Sequence, residues 1–111
     1  MVNEKFGASK IINQFLTELQ KHIFVSKIIL FGSWAKNQQD KWSDIDLAII
    51  SDDFKDVSYL DRLVMLGKFA WQSKSTVIEA LGFTKEEYEH DSKLDFLSEI
   101  KKNGVVIFEW R

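Results

Sequence analysis

The sequence predicts an α/β (α+β) domain, a small mixed β-sheet flanked by helices. Three observations point that way. Segments of helical apolar spacing alternate with short apolar runs of strand length, in the order α-β-β-α-β-α-α-β. The 111 residues are 45 % hydrophobic and 29 % charged, the balance of a globular chain with one modest core. No repeat, low-complexity tract or linker-like stretch divides them, so residues 1–111 read as a single domain.

Each element has its own warrant. Ile11, Ile12, Phe15, Leu16 and Leu19 recur at helical spacing and predict an amphipathic helix over 8–22. The apolar run 27–31, closed by Gly32-Ser33, reads as a buried strand. One helical turn over 34–37 and a polar loop follow. Residues 44–50 form a second strand, apolar on both faces after its first residues, and Asp52-Asp53 then make a solvated turn. A helix is expected over 58–72, with Leu60, Leu63, Val64, Gly67 and Ala70 turned inward. The third strand is expected over 76–81. Thr84 with Glu87 three residues on has the spacing of a capping box, and Glu86, Glu87 and Glu89 are expected on a solvated helix face. A helix over 93–102 carries Leu94, Leu97 and Ile100, Asn103-Gly104 stops it, and 105–108 is the last strand. Proline is absent, so every break rests on Gly, Asn, Asp or Ser.

Composition removes several function classes. No apolar run approaches the ~18 residues of a membrane span, and the polar start MVNEKFGASK lacks the apolar core of a secretory signal. There is no cysteine, which excludes disulfides and thiolate chemistry and leads to an expected cytoplasmic location. His22 and His90 are the two histidines and have no spaced metal-ligand partners. Fifteen basic against seventeen acidic residues leave a net charge of −2, without the basic excess that binding to long nucleic acid calls for.

The chemistry-bearing stretch runs from Gly32-Ser33 to Asp44-Ile45-Asp46. Alternation along a strand puts Asp44 and Asp46 on one face, roughly 7 Å apart at Cα. Two like charges so placed raise each other's pKa unless a cation lies between them. Mg²⁺, which takes oxygen ligands and shares them with phosphates, suits that place. Asp-x-Asp alone describes two solvent-facing carboxylates equally well. Gly32 after a buried strand permits positive φ and close backbone approach, and the amides of Ser33, Trp34 and Ala35 at a helix start, with the Ser33 hydroxyl, suit a phosphate. Glu79 lies between Ile78 and Ala80 in an otherwise apolar strand. A carboxylate there needs a pairing lysine or a metal, and three carboxylates converge if its strand neighbours that of Asp46. Among the tryptophans, Trp34 and Trp42 bracket this loop, where an exposed ring would anchor a partner, while Trp71 and Trp110 are expected to pack the core.

Gly32-Ser33, ten residues, then Asp44-Ile45-Asp46 resembles the signature of the DNA polymerase β-like nucleotidyltransferase superfamily. Residues 29–37, Ile-Leu-Phe-Gly-Ser-Trp-Ala-Lys-Asn, are similar to the "LFGSxARG" segment of its small prokaryotic branch. These are the minimal nucleotidyltransferases (MNT) of HEPN–MNT toxin–antitoxin pairs. Residues 43–49 resemble its "SDIDLxV", and 100–108 its "I..eGvvly" close. The resemblance implies a polymerase β palm-like fold and transfer of a nucleoside monophosphate, AMP from ATP, to a hydroxyl with release of pyrophosphate. It implies that Asp44, Asp46 and Glu79 hold Mg²⁺, as two ions, and that Gly32, Ser33 and Lys36 hold the triphosphate. Glu79 would be metal ligand, general base or both. Two departures stand out. Many members have aspartate where Glu79 stands, and Lys36-Asn37 replace Arg-Gly, which keeps the charge but loses the bidentate fork. A chain of this size leaves no surface to present an acceptor. A helical HEPN-type partner would do so, with a homodimer or hetero-oligomer as the assembly. The competing reading is a module that neutralises its partner by binding, without catalysis.

Overall fold

Period-two alternation in the strands divides their side chains between two cores. The computed structural model describes residues 8–40, 43–90 and 95–110. Its elements are α1 (Ser9–Gln20), β1 (Lys27–Phe31), the single turn α2 (Gly32–Ala35), β2 (Ile45–Ile50), a 3₁₀ turn (Asp52–Phe54), α3 (Tyr59–Gln72), β3 (Ile78–Phe83), α4 (Lys85–Glu89), α5 (Asp95–Asn103) and β4 (Val105–Glu109). Among the described residues the sheet has four strands in the order β3-β2-β1-β4. β1 runs antiparallel to both β2 and β4, and β2 runs parallel to β3. The parallel pair needs a crossover, and α3 supplies it.

Ile28 and Leu30 of β1, Ile45, Leu47 and Ile49 of β2, and Ile78 of β3 point to one face. There they bury against Ile12, Phe15, Leu16 and Leu19 of α1 and Leu66, Phe69 and Ala70 of α3. Ile29, Ala48, Ile50 and Phe83 point to the other face and bury against Leu97 and Ile100 of α5. A sheet covered on both faces explains why β1 and β2 read as unbroken apolar runs. Each fully buried Leu or Ile contributes roughly 1.5–3 kcal/mol of transfer free energy.

The mixed sheet flanked by helices agrees with the expectation. Three details differ. On α3 the buried residues are Arg62, Leu66, Phe69 and Ala70, while Leu60 and Val64 are exposed. The helix carries apolar residues on two faces, and spacing mixes them: Ala70 is buried as expected, while Leu60, Val64 and Gly67 face outward. The third strand starts two residues later than expected. Lys74 takes a left-handed φ of 58° to end α3, and the Ile78 amide bonds Ser75 O at 2.9 Å, so Thr76 and Val77 lie in a turn despite their β-branched side chains. Trp71 and Trp110, expected in the core, are 72 % and 60 % exposed. The start of the helix expected over 93–102, with Leu94, lies outside the described residues.

Two polar fastenings hold the helices to the sheet. The capping box forms as expected, with Thr84 Oγ1 accepting from the Glu87 amide and Glu87 Oε1 accepting from the Thr84 amide. Glu87 is not merely solvated, however. Arg62, buried on α3, donates to Glu87 Oε1 at 2.6 Å and to the carbonyls of Val57 and Gly82. Burial alone would raise the Glu87 carboxyl. The Arg62 hydrogen bond, the Thr84 amide and the guanidinium charge more than offset this and hold it below the usual range. Asp52 and Asp53 are also more than a solvated turn. Asp53 Oδ2 accepts from the Phe24 amide at 2.8 Å and Asp52 Oδ1 from the Lys85 amide at 3.1 Å, tying two loops together.

Candidate functional site

Three chain ends meet at one edge of the sheet: the end of β1, the start of β2 and the start of β3. Registers bring them together. Phe31 pairs with Asp46 across the antiparallel ladder, and Asp46 pairs with Glu79 across the parallel one. Neighbours in register share a face, so Asp46 and Glu79 point to the side covered farther along by Ala48, Ile50 and Phe83 under α5. That cover does not reach them. Glu79 is exposed and Asp46 half-buried.

Gly32 closes this corner. Its φ is +72°, a left-handed value that costs other residues energy. A Cβ built there would also run into the Asp46 carboxylate, with Asp46 Cγ at 3.1 Å. The chain must therefore be glycine at this point, on backbone and contact grounds together. The single turn α2 follows, held by the Lys36 amide on Gly32 O at 3.2 Å and the Gln38 amide on Ser33 O at 2.8 Å. Ser33 is half-buried and Lys36 is exposed.

Asp46 carries the electrostatic signature of the site. Desolvation first, then the negative charges of Glu79 and Asp44, and a side-chain hydrogen bond with Glu79 push its carboxyl up to about 6 from 3.8. Asp44 precedes β2 instead of opening it, and its side chain is exposed. Among the described residues no three acidic or histidine side chains are gathered into a finished metal cage, and none of the ion pairs involves Asp44, Asp46 or Glu79. The donor set is oxygen-rich, like-charged and without a cation of its own, which is the chemistry a hard divalent ion complements. Like charges held without a counterion are a cost to the fold that such an ion would remove.

Other candidates sort differently. Trp34 is half-buried and packs on the larger core instead of offering its ring, and its Nε1 is buried without a hydrogen-bond partner among the described residues. Trp42 lies outside the described residues. His22 Nε2 donates to the Glu18 carboxylate at 3.0 Å and the ring stacks on Phe69 at 4.4 Å, a structural role. The pairing partner of Asp46 across the parallel strand is the feature that motif spacing could not supply, since it depends on which strands become neighbours. No helix among the described residues is long and apolar enough to cross a membrane.

Comparison with known proteins places this geometry. A search of curated proteins finds no match. Among solved structures, the chain superposes on a protein from Sulfolobus solfataricus with a proposed nucleotidyltransferase role, at a TM-score of 0.66 and 18 % identity, covering 90 % of this chain and 78 % of that one. It also superposes on a toxin–antitoxin structure with AMP-PNP, at a TM-score of 0.60 and 21 % identity, covering 89 % and 73 %. At such identities the likeness is one of fold. The family model for the nucleotidyltransferase domain matches residues 9–107, from the first helix into the last strand and through the carboxylate corner. The chain belongs to the nucleotidyltransferase domain family.

Proposed function

We propose that this nucleotidyltransferase carries out Mg²⁺-dependent transfer of AMP from ATP to a hydroxyl on a partner protein. In this reading it is the antitoxin half of a pair with a helical HEPN-type toxin. The observation that carries the reading is the corner itself, where Asp46 stands in register with Glu79 and against a positive-φ Gly32. The toxin–antitoxin neighbour with AMP-PNP supports the nucleotide and the partner.

Asp44, Asp46 and Glu79 would hold the Mg²⁺, as two ions. When bound, Mg²⁺ neutralises charge on the phosphates and steadies the departing pyrophosphate. The chain's own groups do the rest. Gly32, lacking a Cβ, lets a phosphate approach the backbone of the turn, and the Ser33 hydroxyl and the first amides of that turn donate to its oxygens. The Lys36 ammonium adds positive charge at the exposed mouth. Glu79, in the outer strand and open to solvent, would also accept the proton of the attacking hydroxyl in this reading.

The test is label transfer from α-labelled ATP with Mg²⁺, using the purified chain and the products of its neighbouring genes. Label on a partner protein, lost with Asp44→Asn and with Asp46→Asn, supports the reading and identifies the acceptor. Tight partner binding with no label overturns it in favour of a non-catalytic neutralising module. Native-rate transfer by either variant removes that carboxylate from the assignment.

A further inference from the structure

The outer face of α3 has no role in the fold. Leu60, Val64 and Trp71 are 68 %, 65 % and 72 % exposed, and among the described residues nothing lies within 4 Å of the space above Gly67. Positions 60, 64, 67 and 71 are spaced four, three and four residues apart, the seam of a helix pair. At about 100° per residue they form a narrow stripe nearly opposite the buried Arg62, Leu66, Phe69 and Ala70. A helix inside a single core needs one apolar face, and this helix has two.

We infer that α3 pairs antiparallel with α3 of a second copy of this chain. The stripe is its own complement under a two-fold axis, as an isologous contact requires. About the midpoint of the stripe, Leu60 stands as far out on one side as Trp71 on the other, and Val64 as far as Gly67. Antiparallel packing therefore sets Val64 of each copy into the space left by Gly67 of the other. Leu60 of each copy meets the indole of Trp71 of the other.

Charge points to the same occupant. Asp61 and Lys68 flank the stripe on one side, both exposed, and neither side chain is in an ion pair among the described residues. In the antiparallel pair Asp61 of one copy comes alongside Lys68 of the other, twice over. In a parallel pair the two flanks would fall on opposite sides of the seam and this pairing would be lost.

The three exposed side chains offer on the order of 400 Å² of apolar surface per copy, the size of the largest patch on a typical monomer, which is often functional. Two such faces with their flanks reach only the low end of specific interfaces, roughly 1,200 Å². The dimer therefore forms at micromolar concentration. Trp71 lies at the end of α3 that leads into β3.

Sedimentation of the purified chain from about 1 to about 200 μM reads the association directly. The expected mass rises from 13.0 kDa toward about twice that value. Trp71→Glu and Val64→Lys should remain monomeric with unchanged thermal unfolding. Asp61→Lys should raise the dissociation constant about tenfold, and adding Lys68→Asp should bring it back to within about twofold. The chain has no cysteine, so mixing Val64→Cys with Gly67→Cys chains gives a clean cross-link. That mixed disulfide should form faster than either homodisulfide. A chain that stays monomeric throughout the range overturns the inference, as does a charge swap that fails to restore pairing or a Val64→Cys homodisulfide that forms fastest. A monomer that captures a different helical protein through Trp71 would assign the face to that partner and likewise overturn self-pairing.

Discussion

Replacing Asp46 with asparagine should make the protein more stable while removing its activity. The reasoning starts from the raised carboxyl. Burial, Glu79 and Asp44 hold Asp46 at about 6 in the folded chain against 3.8 ordinarily. An acid whose folded pKa lies above its unfolded value binds its proton more tightly in the native state. Stability from this group is thus present at low pH and is lost as pH rises from about 4 to about 6. The full shift corresponds to about 3 kcal/mol, and solvent around the half-open carboxyl screens it to about 1–2 kcal/mol. Asparagine keeps the shape, carries no charge and can donate to Glu79.

The assay is urea unfolding of wild type and Asp46→Asn at pH 4 and pH 8, without divalent ions. We expect the two proteins to agree within about 0.5 kcal/mol at pH 4. At pH 8 the variant should be more stable by about 1–2 kcal/mol, about 4–15 °C in melting temperature for a domain of this size. Added Mg²⁺ should raise the melting temperature of wild type at pH 8 more than that of the variant, because only wild type has the repulsion for the ion to relieve. A variant less stable than wild type at pH 8, or a difference independent of pH, would refute the electrostatic account of this corner.

Gly32→Ala should cost about 1–3 kcal/mol, from the left-handed φ and the collision with the Asp46 carboxylate, and should abolish label transfer. Urea midpoints and the transfer assay check both parts. Glu87→Ala should destabilise by about 2–4 kcal/mol, since it removes half of the capping box and leaves the buried Arg62 guanidinium unpaired. Glu87→Gln, which keeps the cap contacts, should cost less, and chemical denaturation of the pair of variants tests the order. Gly82→Ala drives a methyl into the Phe54 ring, 2.8 Å away, and should cost about 1–3 kcal/mol, read as a lower melting temperature with transfer retained at permissive temperature.

What could be read from the residues alone depends on how local the cause is. β1 and the capping box at Thr84 follow from neighbouring residues and lie where the pattern puts them, and β2 begins one residue later than expected. The juxtaposition of Gly32 with Asp46 follows from one antiparallel pairing of consecutive strands, and motif spacing anticipates it. Glu79 beside Asp46 depends on a parallel crossover of about thirty residues, a long-range pairing that no local signal fixes. β3 starts later than expected because Thr76-Val77 favour strand by propensity, while the end of α3 and the turn at Ser75 override them.

The helix α3 shows a deeper limit. Its apolar residues satisfy the helical period on two faces, so periodicity has no means of choosing between them. The inner face includes Arg62, a residue that a hydrophobic pattern treats as surface, beside Leu66, Phe69 and Ala70. Its guanidinium is accommodated inside because Val57 O, Gly82 O and Glu87 together satisfy it. Leu66 and Phe69 then go to the core, and Leu60, Val64 and Trp71 go to water. A buried charge with three partners outweighs three apolar side chains only if their exposure is tolerable. That condition is met more easily if the outer face is covered in the working assembly. The rotation of α3 and the proposed pairing of its outer face are thus one problem. An Arg62→Leu variant would lose the bond to Glu87 but add an apolar side chain to the inner face beside Leu66, Phe69 and Ala70, so its α3 should keep the same face inward.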